Sequence, residues 1–231
     1  MNTNISDAVV AIVPMRHHSE RVPGKNYRPF AGRPLYHRIL EVLSNSRFLG
    51  RIVVDTDSPR IKRGVRKAFP DITVIDRPED LRGGKVSMND VLCNVVHQVP
   101  VQLYMQTHAT SPLVTTATVD RAIDCFLNQN EHDSLFSVTR LQTRLYDQDG
   151  EAMNHDPNNL IRTQDLPPVY EENSAFYVFP RDCIMSTGRR IGRNPLMFEI
   201  SPVEATDIDE EMDFKIAEFL YRNRERNKTE A

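Results

Sequence analysis

The stretch Ile12-Val13-Pro14-Met15-Arg16-His17-His18-Ser19-Glu20-Arg21-Val22-Pro23-Gly24-Lys25-Asn26 decides the reading of this chain. It continues the apolar run Ala8 to Val13 and precedes a helix-like segment, Leu35 to Leu43, with Leu35, Ile39, Val42 and Leu43 on one face. A buried strand, a loop and then a helix open an α/β unit, whose ligands bind beyond the carboxyl ends of the strands. Arg16, Arg21 and Lys25 therefore fall in a loop where cations can converge on an anion. Guanidinium forks fit paired phosphate oxygens and an ammonium fits the remaining charge, so a polyphosphate suits the loop. A solvated Pro/Gly turn is the competing reading of the same residues, and the segment alone does not separate the two.

Strand and helix signals alternate outward from this segment as far as residue 140. Arg51–Asp55 reads as a strand entering the turn Asp57-Ser58-Pro59, where Asp57 has the spacing to cap a helix over Arg60–Phe69. Ile72–Ile75 is a short strand, 76–85 a polar loop, and Val91, Val95 and Val96 mark a helix. The pattern repeats with a strand at Val101–Met105, a helix carrying Val119, Ile123 and Leu127, and a strand at Asp133–Thr139. Such βα repetition implies one three-layer α/β/α domain over residues 1–231, built on a mostly parallel sheet. Residues 141–172 break the pattern, being rich in Asp, Asn, Gln and Pro with a hairpin turn at Asp149-Gly150. They have little to bury alone and are expected to protrude as a flap or as an arm packing on another subunit. Alternation resumes at Ala175–Phe179, followed by a short helix at Cys183–Met185 and a strand at Leu196–Ile200. The last helix is expected over Glu210–Arg222, with Met212, Ile216, Phe219 and Leu220 on its apolar stripe and a frayed end over 223–231.

Composition narrows the function classes. A net charge of −3 over 231 residues offers no basic field for nucleic acid. No apolar run approaches the roughly 18 residues of a membrane span, and the first residues lack a secretion signal. Cys93, Cys125 and Cys183 stand far apart in no zinc spacing, which fits a reduced, cytoplasmic protein. Cys93 and Cys125 fall inside apolar helical patterns and are expected in the core.

Further polar groups gather after strands. Asp207-Ile208-Asp209 precedes the last helix, where two carboxylates suit Mg²⁺, although helix capping, with Asp207 and Glu210 in capping-box spacing, is the stronger reading of that segment alone. Arg77 opens the long polar loop, in position to meet a base or phosphate. Gln106 ends the central strand with a donor and an acceptor suited to a sugar hydroxyl.

Arg16 through Asn26, Asp55-Thr56-Asp57-Ser58, Arg77-Pro78-Glu79-Asp80-Leu81, Gln106 through Leu113, Asn173 through Tyr177, and Asp207-Ile208-Asp209 with Asp213-Phe214 occur in a specific order. In that order the chain resembles the cytidylyltransferases that activate sugar acids, the CMP-acylneuraminate synthetases and, more distantly, the CMP-Kdo synthetases. The resemblance implies a nucleotidyltransferase-like fold, transfer of CMP from CTP to a 2-keto sugar acid, release of pyrophosphate, a Mg²⁺ requirement and a homodimer. It implies that Arg16, Arg21, Lys25 and Asn26 meet the triphosphate and ribose, and that Arg77 and Ser87 lie on the nucleotide side. Gln106, Arg144 and Asn173 would meet the sugar acid, Asp207 and Asp209 the metal, and Arg16, Lys25 and Asp209 would carry the catalysis. The chain departs from the acylneuraminate pattern at His17-His18 and Glu20-Arg21, where Gly-Gly and Lys-Gly are usual, and at Gly84, Met88 and Glu171-Glu172. These departures loosen the choice of sugar acid among sialic, legionaminic and pseudaminic types. Another nucleotide or sugar, or a non-catalytic binding relative, remain the competing functions.

Overall fold

In the computed structural model, which describes residues 9–230, the first strand is β1 (Val9–Met15) and every one of its residues is buried. Its side chains divide by the period of two. Val9, Ala11, Val13 and Met15 enter one core, and Val10 and Ile12 enter another on the opposite face. A strand buried on both sides cannot show polar alternation, which is why it reads as one apolar run. Ala8, expected to start it, lies outside the described residues.

The chain continues through a small hairpin, β2 (Pro29–Phe30) and β3 (Arg33–Pro34), then α1 (Tyr36–Ser44), β4 (Leu49–Thr56), α2 (Pro59–Ala68) and β5 (Thr73–Asp76). Next come α3 (Met88–Gln98), β6 (Leu103–Thr107), α4 (Thr116–Leu127), β7 (Ser134–Leu141), β8 (Val169–Pro180), α5 (Arg181–Thr187), β9 (Pro195–Glu199) and α6 (Glu211–Glu230). The seven-stranded sheet has the order β5-β4-β1-β6-β8-β7-β9. The α1, α2 and α4 helices cover one face, through Ile39, Leu40, Ile61, Val65, Val119 and Ile123. On the other face, α3 and α5 pack through Leu92, Val95, Val96 and Ile184. The three-layer architecture is therefore as expected. The sheet is mostly parallel with one reversal, since β8 pairs antiparallel with both β6 and β7.

The order reverses at β1: β4 and β5 lie to one side of it and β6 to the other. Loops leaving β1 and β6 therefore diverge and leave a crevice between them. A third, smaller core of Val22, Phe30, Leu35, Ile208, Phe214 and Ala217 fastens the first loop and the hairpin to α6.

Several local expectations are corrected. Ser58, not Asp57, caps α2, its hydroxyl accepting from the Ile61 amide at 3.3 Å with Pro59 next in sequence. Cys125 is exposed on α4, Leu127 is also exposed, and Phe126 fills the core instead. The final helix does not stop near Arg222 but is helical to Glu230. Its expected apolar stripe is outside: Met212, Ile216 and Phe219 are exposed, and Phe214 and Ala217 make the contact. Tertiary pairing selects that face. Arg28 pairs with Glu211 at 2.5 Å and lies over the Phe214 ring at 4.3 Å, while the Ala31 amide donates to Glu218. Residues 142–168 form little regular structure, with a bridge between Tyr146 and Ala152 and a turn through Gly150.

Candidate active site

A cavity of about 530 Å³ opens at the crevice between the ends of β1 and β6. Arg16, Arg21, Lys25 and Asn26 line it, with Arg77, His108, Asp207 and Asp209. The first loop is fixed by its own backbone and by neighbours. Gly24 adopts φ +66°, where a Cβ would meet the Tyr27 ring at 2.7 Å, so only glycine fits this turn without displacement. Asn26 donates to the Arg16 carbonyl at 2.9 Å. The His17 amide donates to Asp57 at 2.7 Å and its ring Nδ1 meets the Ser58 hydroxyl at 2.7 Å. His17 thus takes the place of small residues by tying the loop to the end of β4.

The carboxylates reach the cavity because another residue satisfies the helix start. Asp213 Oδ2 accepts from the Asp209 and Glu210 amides at 3.1 and 2.7 Å. With α6 beginning at Glu211, Asp213 is the third helical residue reaching back, the carboxylate half of a capping box. The capping expected of Asp207 and Glu210 is therefore shifted three residues along. Asp209 is free to pair with Arg21 at 2.7 Å and Lys25 at 3.5 Å. Lys25 also donates to the Ile208 carbonyl. Asp207 is held by a hydrogen bond with Thr110, but its Oδ1 is buried with no partner, and burial pushes its carboxyl above the usual range. Among the described residues no group of three or more His, Cys, Asp or Glu side chains could hold a metal unaided.

Arg77 is only 2% exposed and its Nε donates to the fully buried Asp55 at 2.5 Å. Burial raises the Asp55 pKa, and Arg77 opposes that rise. The pair aims one guanidinium from under the cavity floor, where it is held rather than free in solution.

Sequence reasoning missed His108 and Arg190. Arg190 donates to Gln106 Oε1 at 2.6 Å, so the Gln106 amide nitrogen must face His108 Nε2, 2.9 Å away. Guanidinium cannot accept a hydrogen bond, so the chain runs from Arg190 through Gln106 to an unprotonated His108 Nε2. Burial first, then Arg190 and Lys25, lower the His108 pKa to about 4, which agrees with that direction. His108 follows Gln106 by two residues at a strand end, which could have flagged it; Arg190 has no comparable local signal. Its guanidinium lies 3.6 Å from the centroid of Tyr177.

Other expected site residues separate from the cavity. Ser87 caps α3 and lines a neighbouring cavity of about 420 Å³ with Met88, Asn89, Glu172 and Arg190. Asn173 is committed within the sheet, accepting from Ser137 at 2.6 Å and donating to Thr139 at 2.9 Å, while the adjacent Ser174 faces the main cavity. Arg144 stays within the segment 142–168, donating to the Ile161 carbonyl at 2.6 Å. A slightly larger cavity, about 580 Å³, lies between the hairpin, α1 and α6, but its Arg33 and Arg38 already pair with Glu41. None of its lining residues follows a strand of the seven-stranded sheet, so it lacks the placement of the crevice.

The family model described as cytidylyltransferase matches residues 10–228. The chain belongs to this family. It is 26% identical over 227 residues to post-translational flagellin modification protein B of Campylobacter coli, covering 94% of this chain and 96% of that protein. It is 25% identical over 233 residues to a pseudaminic acid cytidylyltransferase of Campylobacter jejuni, covering 92% and 96% respectively. A solved structure of CMP:2-keto-3-deoxy-manno-octonic acid synthetase complexed with CTP is similar in fold, with a TM-score of 0.70 at 16% identity over 94% of this chain and 99% of that one.

Proposed function

We infer that this cytidylyltransferase transfers CMP from CTP to a 2-keto nonulosonic acid and releases pyrophosphate. The observation that carries the reading is the meeting of Arg21 and Lys25 with Asp209, beside Asp207, at the switch point of the sheet. In this reading Arg16, Arg21 and Lys25 bind the triphosphate, with Asn26 holding the loop beside it. Arg77, fixed by Asp55, meets the base or its sugar. Gln106 orients the keto sugar acid so that its anomeric hydroxyl lies in line with the α-phosphorus. Most of the rate enhancement then comes from alignment and from neutralising charge on phosphate oxygens.

The partnerless buried Oδ1 of Asp207 and the adjacent Asp209 fit Mg²⁺, whose coordination is commonly completed by substrate phosphates and water. When bound, Mg²⁺ would neutralise phosphate charge and lower the pKa of a coordinated hydroxyl. Arg21 and Lys25, now turned on Asp209, would then be released toward the phosphates. The relative named for pseudaminic acid supports a nonulosonic acceptor.

A homodimer is part of the same proposal. Tyr146, Met153 and Leu160 in the 141–172 segment are each more than half exposed, apolar surface that suits burial against a second copy, with Arg144 brought near the partner's acceptor site. Among the described residues no helix is long and apolar enough to cross a membrane. Use of CTP and three free cysteines suit the cytoplasm.

Pure protein incubated with CTP, Mg²⁺ and sialic, legionaminic, pseudaminic and Kdo acids tests the reading by joint measurement of pyrophosphate and CMP-sugar. Equal release of both with a nonulosonic acid is expected. Preference for UTP would move the function to another nucleotide; CTP binding without product from any acid would make the chain a binding relative. Sedimentation of the protein at micromolar concentration tests the dimer.

A further inference from the structure

The cavity lined by Ser87, Met88, Asn89, Glu172, Arg189 and Arg190 adjoins the nucleotide-side cavity, with Met88 on the wall of both. Arg190 lies in the loop after α5, and its amide donates to Asn89 at 3.3 Å, which ties this loop to the start of α3. The guanidinium is half-buried, stacked on Tyr177 and bonded to Gln106. Arg190 forms no ion pair among the described residues, unlike Arg21 and Arg77. The nearby carboxylate, Glu172, is turned elsewhere and accepts the Tyr177 hydroxyl. The Tyr177 oxygen in turn accepts from the hydroxyl of Ser174, which lines the nucleotide cavity. A cation withdrawn from water without a paired anion is costly, and that cost disappears when an anionic ligand supplies the missing charge. Burial lowers the Arg190 pKa and outweighs the opposing pull of Tyr177 and Glu172, so their compensation is incomplete.

We propose that Arg190 is the specificity residue that binds the carboxylate of the sugar acid, with Tyr177 holding its guanidinium plane and Gln106 linking it to the reacting end of the cleft. The planar fork matches two carboxylate oxygens, and stacking fixes it before the ligand arrives. The triphosphate is excluded as its partner by position: the first-loop cations and Asp207 and Asp209 occupy the other cavity. This assignment rests on the sugar-acid reading above, and explains how the enzyme distinguishes a keto acid from a neutral sugar of similar shape.

The test compares an accepted keto sugar acid with its C1 methyl ester, in the wild type, Arg190→Met and Arg190→Lys, with thermal melting of each. Wild type is expected to prefer acid over ester by roughly 30-fold or more in kcat/KM, the scale of losing one charged hydrogen-bond pair. Arg190→Met should raise KM for the acid by that factor, affect the ester far less so that the preference for acid over ester collapses, and hold KM for CTP within about twofold. Arg190→Lys should restore part of the preference, and alone suffices if the Met variant does not fold. Equal losses with acid and ester, or a parallel rise in KM for CTP, would overturn the proposal. If the wild type accepts no keto acid but releases pyrophosphate with a neutral or phosphorylated acceptor, the proposed function itself fails, and the carboxylate assignment with it.

Discussion

The two halves of the cleft handle positive charge in opposite ways. On the side proposed for the nucleotide, Arg21 and Lys25 rest on Asp209, and Arg77 rests on Asp55. On the side proposed for the acceptor, Arg190 has an aromatic ring and an amide for neighbours and forms no salt bridge among the described residues. Arg21, Lys25 and Arg77 of the first half are paired before ligands bind, so in the proposed function a triphosphate would have to exchange with those pairs. The second is unbalanced, so its ligand completes it. Reorganisation is thus expected where the nucleotide binds, and pre-organisation where the acid binds.

The largest expected effect breaks the nucleotide half. Asp209→Asn and Asp207→Asn should each lower kcat by roughly 100- to 1,000-fold, the scale of losing one electrostatic contact to the reacting group. Their melting temperatures should stay near that of the wild type, because Asp213 holds the helix start. Parallel loss of turnover and stability would make these carboxylates structural and dissolve the contrast between the halves.

Stability sharpens the same contrast. Asp55→Ala strands Arg77 as a buried, unpaired charge and should cost about 3–5 kcal/mol in urea unfolding. Arg190→Met breaks no ion pair but removes the donor to the buried Gln106 Oε1, and should cost about 1–2 kcal/mol. If both cost the same, the acceptor half is as dependent on its charge for folding as the nucleotide half.

His108 joins the two halves and supplies a pH signature. Its folded pKa of about 4 lies below the ordinary histidine value of 6.5, so the unfolded chain binds the proton more readily. Its stabilising contribution is complete above about pH 6.5, falls as pH drops and is lost below about pH 4. Urea unfolding at pH 7 and pH 5 should show the wild type losing about 1–2 kcal/mol more than His108→Gln over that interval. Identical slopes would place His108 in a more solvated setting than its bond to Gln106 implies. The smallest effect is that of Asp213→Ala, about 0.5–1 kcal/mol of stability, since it removes a carboxylate that caps α6.

Much of the fold was readable because its signals are local. The buried β1 run, the helix start at Pro59 and the apolar spacing of Ile39, Val95 and Ile123 each carry a local signal within a few residues, although the cap of that helix fell to Ser58 rather than Asp57. The loop cations and the Asp207–Asp209 pair were legible for the same reason, since strand ends in an α/β sheet share one edge. Arg190 was not, because the residues it meets, Gln106, Tyr177 and Asn89, are distant in sequence. Asn173 misled because its amide has the chemistry of a ligand contact, yet Ser137 and Thr139 of the neighbouring strand take it up.

The sequence by itself determined the layer architecture, the positions of the helices and strands to within a few residues, and the edge of the sheet where charged groups collect. Period and capping act over one or two turns of chain, so they survive without knowledge of the whole. Only the tertiary structure decided that β8 runs against its neighbours, that α6 docks by Phe214 and Ala217 rather than by Met212 and Ile216, and that each cation of the cleft either finds a carboxylate or goes without one. Those outcomes depend on which remote surfaces meet, and on how burial strengthens or penalises a charge once they have met.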